Sequence, residues 1–273
     1  MPVDDLASMG RLLDALQPWL DHLVVVGGWA HRLHRFHPWA SPPAYLPLRT
    51  RDADIAFSST APLVGDIGEA LKASGFKEEL SGEHIPPIAR YVLGREDEGF
   101  YAEFLAPLRG SGTRRHGAPD ATLSKAGVTA QRLRHLDLLL AGPWTIGLDT
   151  ALGLPLRERA EVRLPNPVSF IAQKLLIQRY RPVGKQAQDT LYIHDTLELF
   201  AREMEALRGI WQDELCPALP TRTVTSIERL SRERFGEVTD VIRMAARIPA
   251  DRSIAPGRLQ AACALGLEEI FGA

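Results

Sequence analysis

An unbroken apolar run, Leu23-Val24-Val25-Val26, stops at two glycines, Gly27 and Gly28. Downstream a second run, Asp52-Ala53-Asp54-Ile55-Ala56-Phe57, carries two aspartates one residue apart. The first run reads as a buried β-branched strand. If the second is also a strand, side chains two apart share a face, so Asp52 and Asp54 aim two carboxylates at one spot. Crowding two negative charges is costly unless a cation lies between them, and hard carboxylate oxygens suit Mg2+. Glycines let the backbone approach a ligand closely, and a helix beginning at Gly27-Gly28 would direct its N–H groups at phosphate. Together these features read as a metal and nucleotide site for phosphoryl-type transfer.

Around this centre the chain changes character once. Asp4 and Asp5, then Leu6, Met9, Leu12, Leu13, Leu16 and Leu20, give helical spacing with acidic residues in the first turn. The pattern predicts a helix over Trp29 to Phe36, a Pro-rich and aromatic loop over His37 to Pro47, and a helix over Leu63 to Ser74 closed by Gly75. Strands are expected at Phe76 to Leu80, Ile88 to Leu93 and Tyr101 to Leu105, the last two joined as a hairpin across Gly94 to Gly99. Gln131 to Leu140 reads as a helix, and Trp144 to Leu148 and Glu161 to Leu164 as short strands. From Pro167 onward the pattern is helical: Ser169 to Tyr180, Asp189 to Leu207, Val224 to Ala246 and Pro256 to Phe271. The expected class is therefore α+β, with a mixed sheet flanked by helices in a core domain (1–165), followed by a helical C-terminal domain (166–273).

A chain of 273 residues can bury a large core without covalent staples. Its two cysteines, Cys216 and Cys263, fall in helical stretches and fit buried thiols in a reducing compartment. The acidic N-terminus is unlike a secretory signal, and no apolar run reaches membrane-spanning length, so a cytoplasmic protein without membrane contact is expected. A net charge of -2 gives no global electrostatic case for nucleic acid, so such a partner needs a local basic patch. Arg109, Arg114, Arg115 and His116, in a glycine-rich loop, could grip an RNA backbone or be a solvated flexible loop. His31, His34 and His37 recur every third residue and read as a solvated helix face, because nothing nearby supplies further metal ligands.

The order strand, Gly-Gly, helix, then a strand with Asp-x-Asp resembles the nucleotidyltransferase superfamily typified by the DNA polymerase beta fold. The resemblance implies a third carboxylate from a later strand, and Glu103 in Tyr101-Ala102-Glu103-Phe104-Leu105 takes that position. An edge-strand surface glutamate is the plainer reading of Glu103. Farther on, Pro167-x-Ser169-Phe170-x-Ala172-x-Lys174-Leu175-Leu176, then Arg181, Lys185, Asp189 and Tyr192-Ile193-His194-Asp195, resembles the AbiEii/MenT group of nucleotidyltransferase-like toxins. In that group a lysine and an aspartate from the helical half complete the active site, which here implies Lys174 and Asp195, with Asp189 beside them. Lys174 also reads as a solvated helix lysine, and Asp189 as a charge at a helix start. Gly28 stands where many relatives have serine, and the gap from Gly28 to Asp52 is long.

What the resemblance implies is concrete. Asp52, Asp54 and Glu103 would hold one or two Mg2+ (or Mn2+) ions. Gly27 and Gly28 would cradle phosphates, Lys174 and Asp189 would serve the triphosphate, and Arg49, Thr50 and Arg51 would contact phosphate or acceptor. The donor would be an NTP and the acceptor an RNA such as a tRNA 3′ end, with an antitoxin protein as partner. The Gly-Gly-Trp-Ala turn also looks like that of aminoglycoside and lincosamide nucleotidyltransferases, so a small-molecule acceptor is the second reading. A catalytically idle nucleotide-binding module is the third.

Overall fold

The computed structural model describes residues 5–82, 84–94, 99–110, 112–113 and 119–272. Arg114, Arg115 and His116 of the basic loop, and the tip of the expected 94–99 hairpin, lie outside the described residues. The chain divides into two compact units: Met1–Phe36 with Arg49–Pro165, and His37–Leu48 with Asn166–Ala273. The Pro-rich segment is thus a loop, as its composition predicts, but it packs with the helical unit and interrupts the first unit's sequence.

The N-terminal unit is a mixed sheet with helices on it. In chain order its elements are α1 (Asp5–Leu16), β1 (Leu23–Val26), α2 (Gly27–Leu33), β2 (Asp52–Phe57), α3 (Ile67–Ala73), β3 (Lys77–Ser81), β4 (Ile88–Leu93) and β5 (Phe100–Pro107). Then come β6 (Thr122–Lys125), β7 (Val128–Leu133), α4 (Leu136–Leu139), β8 (Trp144–Leu148) and β9 (Ala160–Leu164). Among the described residues seven strands form one sheet in the order β1-β2-β5-β4-β3, with β7 also on β5 and β6 on β7. β5 is the hub: it pairs parallel to β2, antiparallel to β4 through its first half, and parallel to β7 through its second.

Alternation decides the two faces. Leu23, Val25, Ala53, Ile55, Phe57, Ala102 and Phe104 point into the main core with Trp29, Leu33 and the leucines of α1. Phe57 stacks on Phe104 with ring centroids 5.8 Å apart. On the opposite face Val24, Val26, Ala56 and Leu105 are covered by Leu136 and Leu139 of α4. That cover ends before the start of β2 and β5, where the same face carries Asp52, Asp54, Tyr101 and Glu103, all partly exposed.

Three expected elements differ: the helices read over Asp189 to Leu207 and Val224 to Ala246 each break into two, after Leu199 and after Arg234, and the third lies in the sheet. Gln131 to Leu140 is the end of strand β7 followed by a single turn of helix, rather than one helix. Leu133, Leu136 and Leu140 imitate helical spacing, but Val128, Ala130 and Arg132 alternate along β7, which pairs with both β5 and β6. The β6–β7 turn is Ala126-Gly127, both at positive φ (48° and 76°). This is the backbone of a two-residue hairpin loop, with alanine at a position that usually takes Asn, Asp or Gly.

The second unit is helical: α5 (Pro167–Ile177), α6 (Val183–Leu199), α7 (Met204–Gly209), α8 (Cys216–Ala218), α9 (Thr221–Arg234), α10 (Asp240–Ala245) and α11 (Pro256–Phe271). Pro167 at the first position and the buried Asn166 cap, which accepts from Ser169 N at 2.8 Å, start α5. Its core includes Phe170, Leu191, Phe200, Leu259 and Phe271, all 1% exposed or less. Trp211 meets Phe271 edge-on at 4.8 Å. Gly266 lets α11 lie close on α6, since a Cβ there would stand 3.0 Å from Leu197.

Candidate functional site

β1 and β2 are antiparallel with Val26 opposite Asp54, which brings the glycine turn beside the second aspartate. Gly27 has φ +66°, and a Cβ on it would fall 2.2 Å from Asp54 Oδ2. Two independent constraints thus require glycine here: a left-handed backbone and a carboxylate occupying the side-chain space. Gly28, next along, is buried. The turn and the aspartates form one site because the turn backs directly onto a carboxylate.

Parallel pairing sets Asp52 opposite Tyr101 and Asp54 opposite Glu103. Four polar side chains therefore share one patch of the sheet. The Thr50 hydroxyl, mostly buried, hydrogen-bonds Asp52 Oδ1. Glu103 faces Arg90 across the β4–β5 pair, and Arg90 Nε donates to Glu103 Oε1 at 2.5 Å. The Arg90 guanidinium also lies 4.9 Å from the centre of the Tyr101 ring. Burial, and next the charges of Asp52 and Glu103, push the Tyr101 hydroxyl up to about 12. It is a neutral donor throughout the physiological range.

Sequence reading missed Tyr101 and Arg90. Tyr101 was within reach, because it is two residues from Glu103 on the same strand. Arg90 was not, because only the register of β4 on β5 brings it there. Arg49 is engaged elsewhere, donating to Asp5 at 2.7 Å. Arg51 is exposed beside the pair.

The helical-half residues belong to the second unit and are held differently. Lys174 is 5% exposed and lies 2.8 Å from Asp189 Oδ1, with Arg181 Nε 3.3 Å from Asp189 Oδ2. The Phe170 and Tyr192 rings flank the Lys174 ammonium at 5.4 and 5.3 Å. Lys174 is thus no solvated lysine. Asp189, 1% exposed, stands more than a turn inside α6 rather than at its start. Asp195, 2% exposed, is bracketed by Arg252 Nη2 at 2.5 and 2.6 Å and by His194 Nδ1 at 2.9 Å.

Among the described residues, His194, Asp195 and Glu198 place one ligand atom each within 4.8 Å of one another. A metal does not fit there: Arg252 already puts a positive charge on Asp195, and Tyr45 donates to Glu198 Oε2 at 2.5 Å. The Asp52–Asp54 patch does fit a divalent cation. Its carboxylates share one face, remain partly exposed, and are backed by a glycine whose missing side chain leaves room for Asp54.

The spaced histidines are not a solvated face. His31 and His34 are 2% and 0% exposed, and His34 Nε2 lies 2.8 Å from the Pro165 carbonyl oxygen. Helix α2 is short and embedded, so even its polar positions are covered. Trp29 packs in the core, edge-on to Phe100 at 5.9 Å.

Comparison with curated proteins and with solved structures returns no match. A family model described as nucleotidyltransferase matches residues 4–215, which takes in the glycine turn, the aspartate pair, Glu103, Lys174 and Asp195. The mixed α+β architecture is consistent with that fold. No helix among the described residues is long and apolar enough to cross a membrane. The chain belongs to this nucleotidyltransferase family.

Proposed function

We propose that the protein moves a nucleoside monophosphate from an NTP to an acceptor hydroxyl at the Asp52–Asp54 patch. The observation that carries this reading is the seating of Asp54 against Gly27. A left-handed glycine gives up its side-chain space to a carboxylate that stays partly exposed, where a carboxylate serving the core alone would be buried.

Asp52 and Asp54 would hold Mg2+, or Mn2+, with Glu103 available once it leaves Arg90. A divalent ion bound there supplies charge neutralisation at the triphosphate and a lowered pKa for the acceptor hydroxyl. The chain's own residues do the rest. Thr50 fixes the Asp52 carboxylate through its hydroxyl. The turn at Gly27 seats the Asp54 carboxylate where a side chain would otherwise stand. Tyr101, neutral and beside Asp52, can donate to a phosphate oxygen, and Arg51 offers an exposed cation. The acceptor oxygen attacks the α-phosphorus in line, its proton goes to solvent or a carboxylate, and pyrophosphate leaves.

Lys174 stays in the proposed nucleotide-binding set because Lys174 and Arg181 together exceed the charge of Asp189 by one. Asp195, bound to Arg252, enters as a positioning residue. An RNA acceptor, an antitoxin partner and a toxin role rest on the AbiEii/MenT resemblance. A cytoplasmic location is supported by the two free cysteines. The test is incubation with each α-labelled NTP, Mg2+ and either total RNA or an aminoglycoside panel, beside growth on induced expression. Labelled RNA with growth arrest is expected. Labelled drug with normal growth would move the acceptor to small molecules, and no transfer to anything would leave the idle-module reading.

A further inference from the structure

A second site lies within the N-terminal unit, at the far end of the strands that carry the carboxylates. Asp52 and Asp54 begin β2. Where β2 and β5 end, a cavity of about 270 Å3 opens between the segment after β2, strand β6 and helix α4. Along the strand, Ser58 is about 13 Å from Asp54 at roughly 3.3 Å per residue. This pocket is therefore no part of the metal patch.

Its lining is of two kinds. Phe57, Leu123 and Leu140 give apolar walls, while Arg109, Lys125 and Arg132 bring three cations against one lining carboxylate, Asp137. In a chain of net charge -2 this excess of positive charge is local. Two of the cations are incompletely matched. Lys125 Nζ donates to the Ser59 carbonyl at 2.5 Å and sits 4.9 Å from the Phe57 ring centre, contacts that lend no full negative charge. Burial lowers its pKa, so an arriving anion would be favoured. Arg132 pairs through Nη1 with Asp120 at 3.2 Å, but its Nε is buried with no hydrogen-bond partner. Buried donors of this kind are rare without a role. Arg109 is exposed at the mouth.

We propose that this pocket is a metal-independent site for a phosphate group carried on an apolar or aromatic body, as in a nucleotide. The phosphate would take Lys125, Arg132 and Arg109, and the body would lie against Phe57, Leu123 and Leu140. A free nucleotide and one nucleotide of an RNA strand present the same chemistry. The site is distinct from the donor site and does not depend on the aspartates binding metal.

The test is equilibrium binding to the full chain in excess EDTA, with three probes: inorganic phosphate, the four nucleoside monophosphates, and a short single-stranded RNA. At least one probe is expected to bind, with the tightest naming the source of the phosphate. Binding should weaken about tenfold or more in Lys125→Gln and in Arg109→Gln, as loss of a charge-assisted hydrogen bond implies. It should be unchanged in Asp52→Asn. Arg109 is exposed, so its variant keeps the test valid even if Lys125→Gln fails to fold. No binding of any probe at millimolar concentration, equal binding by both cation variants and wild type, or loss of binding in Asp52→Asn would each overturn the proposal.

Discussion

Asp52 and Asp54 in the N-terminal unit and Asp189 and Asp195 in the helical unit are the same side chain kept in opposite states. The first two stand partly exposed on a sheet face, with a hydroxyl and a glycine as neighbours. The second two are 1% and 2% exposed, each within 2.8 Å of a cation. A carboxylate buried in a helical core must be neutralised on the spot, because its desolvation otherwise exceeds what the fold can bear. A carboxylate on a partly exposed sheet face keeps part of its hydration and stays within reach of a ligand. Exposure thus separates carboxylates that build the fold from those a ligand can reach.

Asp54→Asn should break the comparison most sharply. It keeps the shape, removes one charge of a crowded pair, and should reduce nucleotidyl transfer at least a thousandfold, about 4 kcal/mol in the barrier. Its melting temperature should match or slightly exceed wild type, since like-charge repulsion is relieved. Steady-state transfer and thermal melting, measured together, check both halves. Arg252→Met should do the reverse: it strands Asp195 beside His194 in the core and should cost about 3–5 kcal/mol of stability by denaturant titration. A variant melting like wild type would show that Asp195 needs no partner.

How much was legible follows the same division. β2 could be read to the residue, because Asp-Ala-Asp-Ile alternates and both faces announce themselves. Glu103 was singled out by the resemblance, on a strand that the apolar pattern had marked. The β6–β7 hairpin was not legible: its turn sets Ala126 at positive φ, and the leucines after β7 imitate a helix. Nor could the sequence assign His37–Leu48 to the helical unit. That assignment rests on long-range contacts: Ser41 N to the Leu199 carbonyl, Tyr45 to Glu198 and Arg252, and Leu46 N to Asp251. Lys174 and Asp195 were found through resemblance alone. Their partners Asp189 and Arg252 are spatial neighbours that no local spacing announces as such.

Gly27→Ala sharpens the account on the open side. The left-handed backbone alone costs about 1–2 kcal/mol with a Cβ, and that Cβ collides with Asp54 Oδ2. Transfer should fall further than stability does, because the displaced group is a proposed metal ligand; the ratio of the two losses is the readout. The smallest effect concerns Tyr101. Its pKa is raised from 10.0 to about 12 in the folded state, so the unfolded chain ionises first. Below pH 10 both states hold the proton and this group leaves stability unchanged. Between pH 10 and 12 the unfolded state gains, so stability declines as pH rises. Tyr101→Phe should remove that part of the alkaline decline, seen by comparing melting curves across the window. An ultraviolet difference titration should place the missing ionisation near pH 12.

The central claim is that the open carboxylates, not the closed ones, hold the metal. Mn2+ binding followed by electron paramagnetic resonance, with a non-hydrolysable NTP analogue present, tests it directly in wild type, Asp54→Asn and Glu198→Gln. The account predicts NTP-dependent Mn2+ binding in wild type and Glu198→Gln, and its loss in Asp54→Asn. Retention in Asp54→Asn, or loss in Glu198→Gln alone, would place the metal in the helical unit and contradict the account.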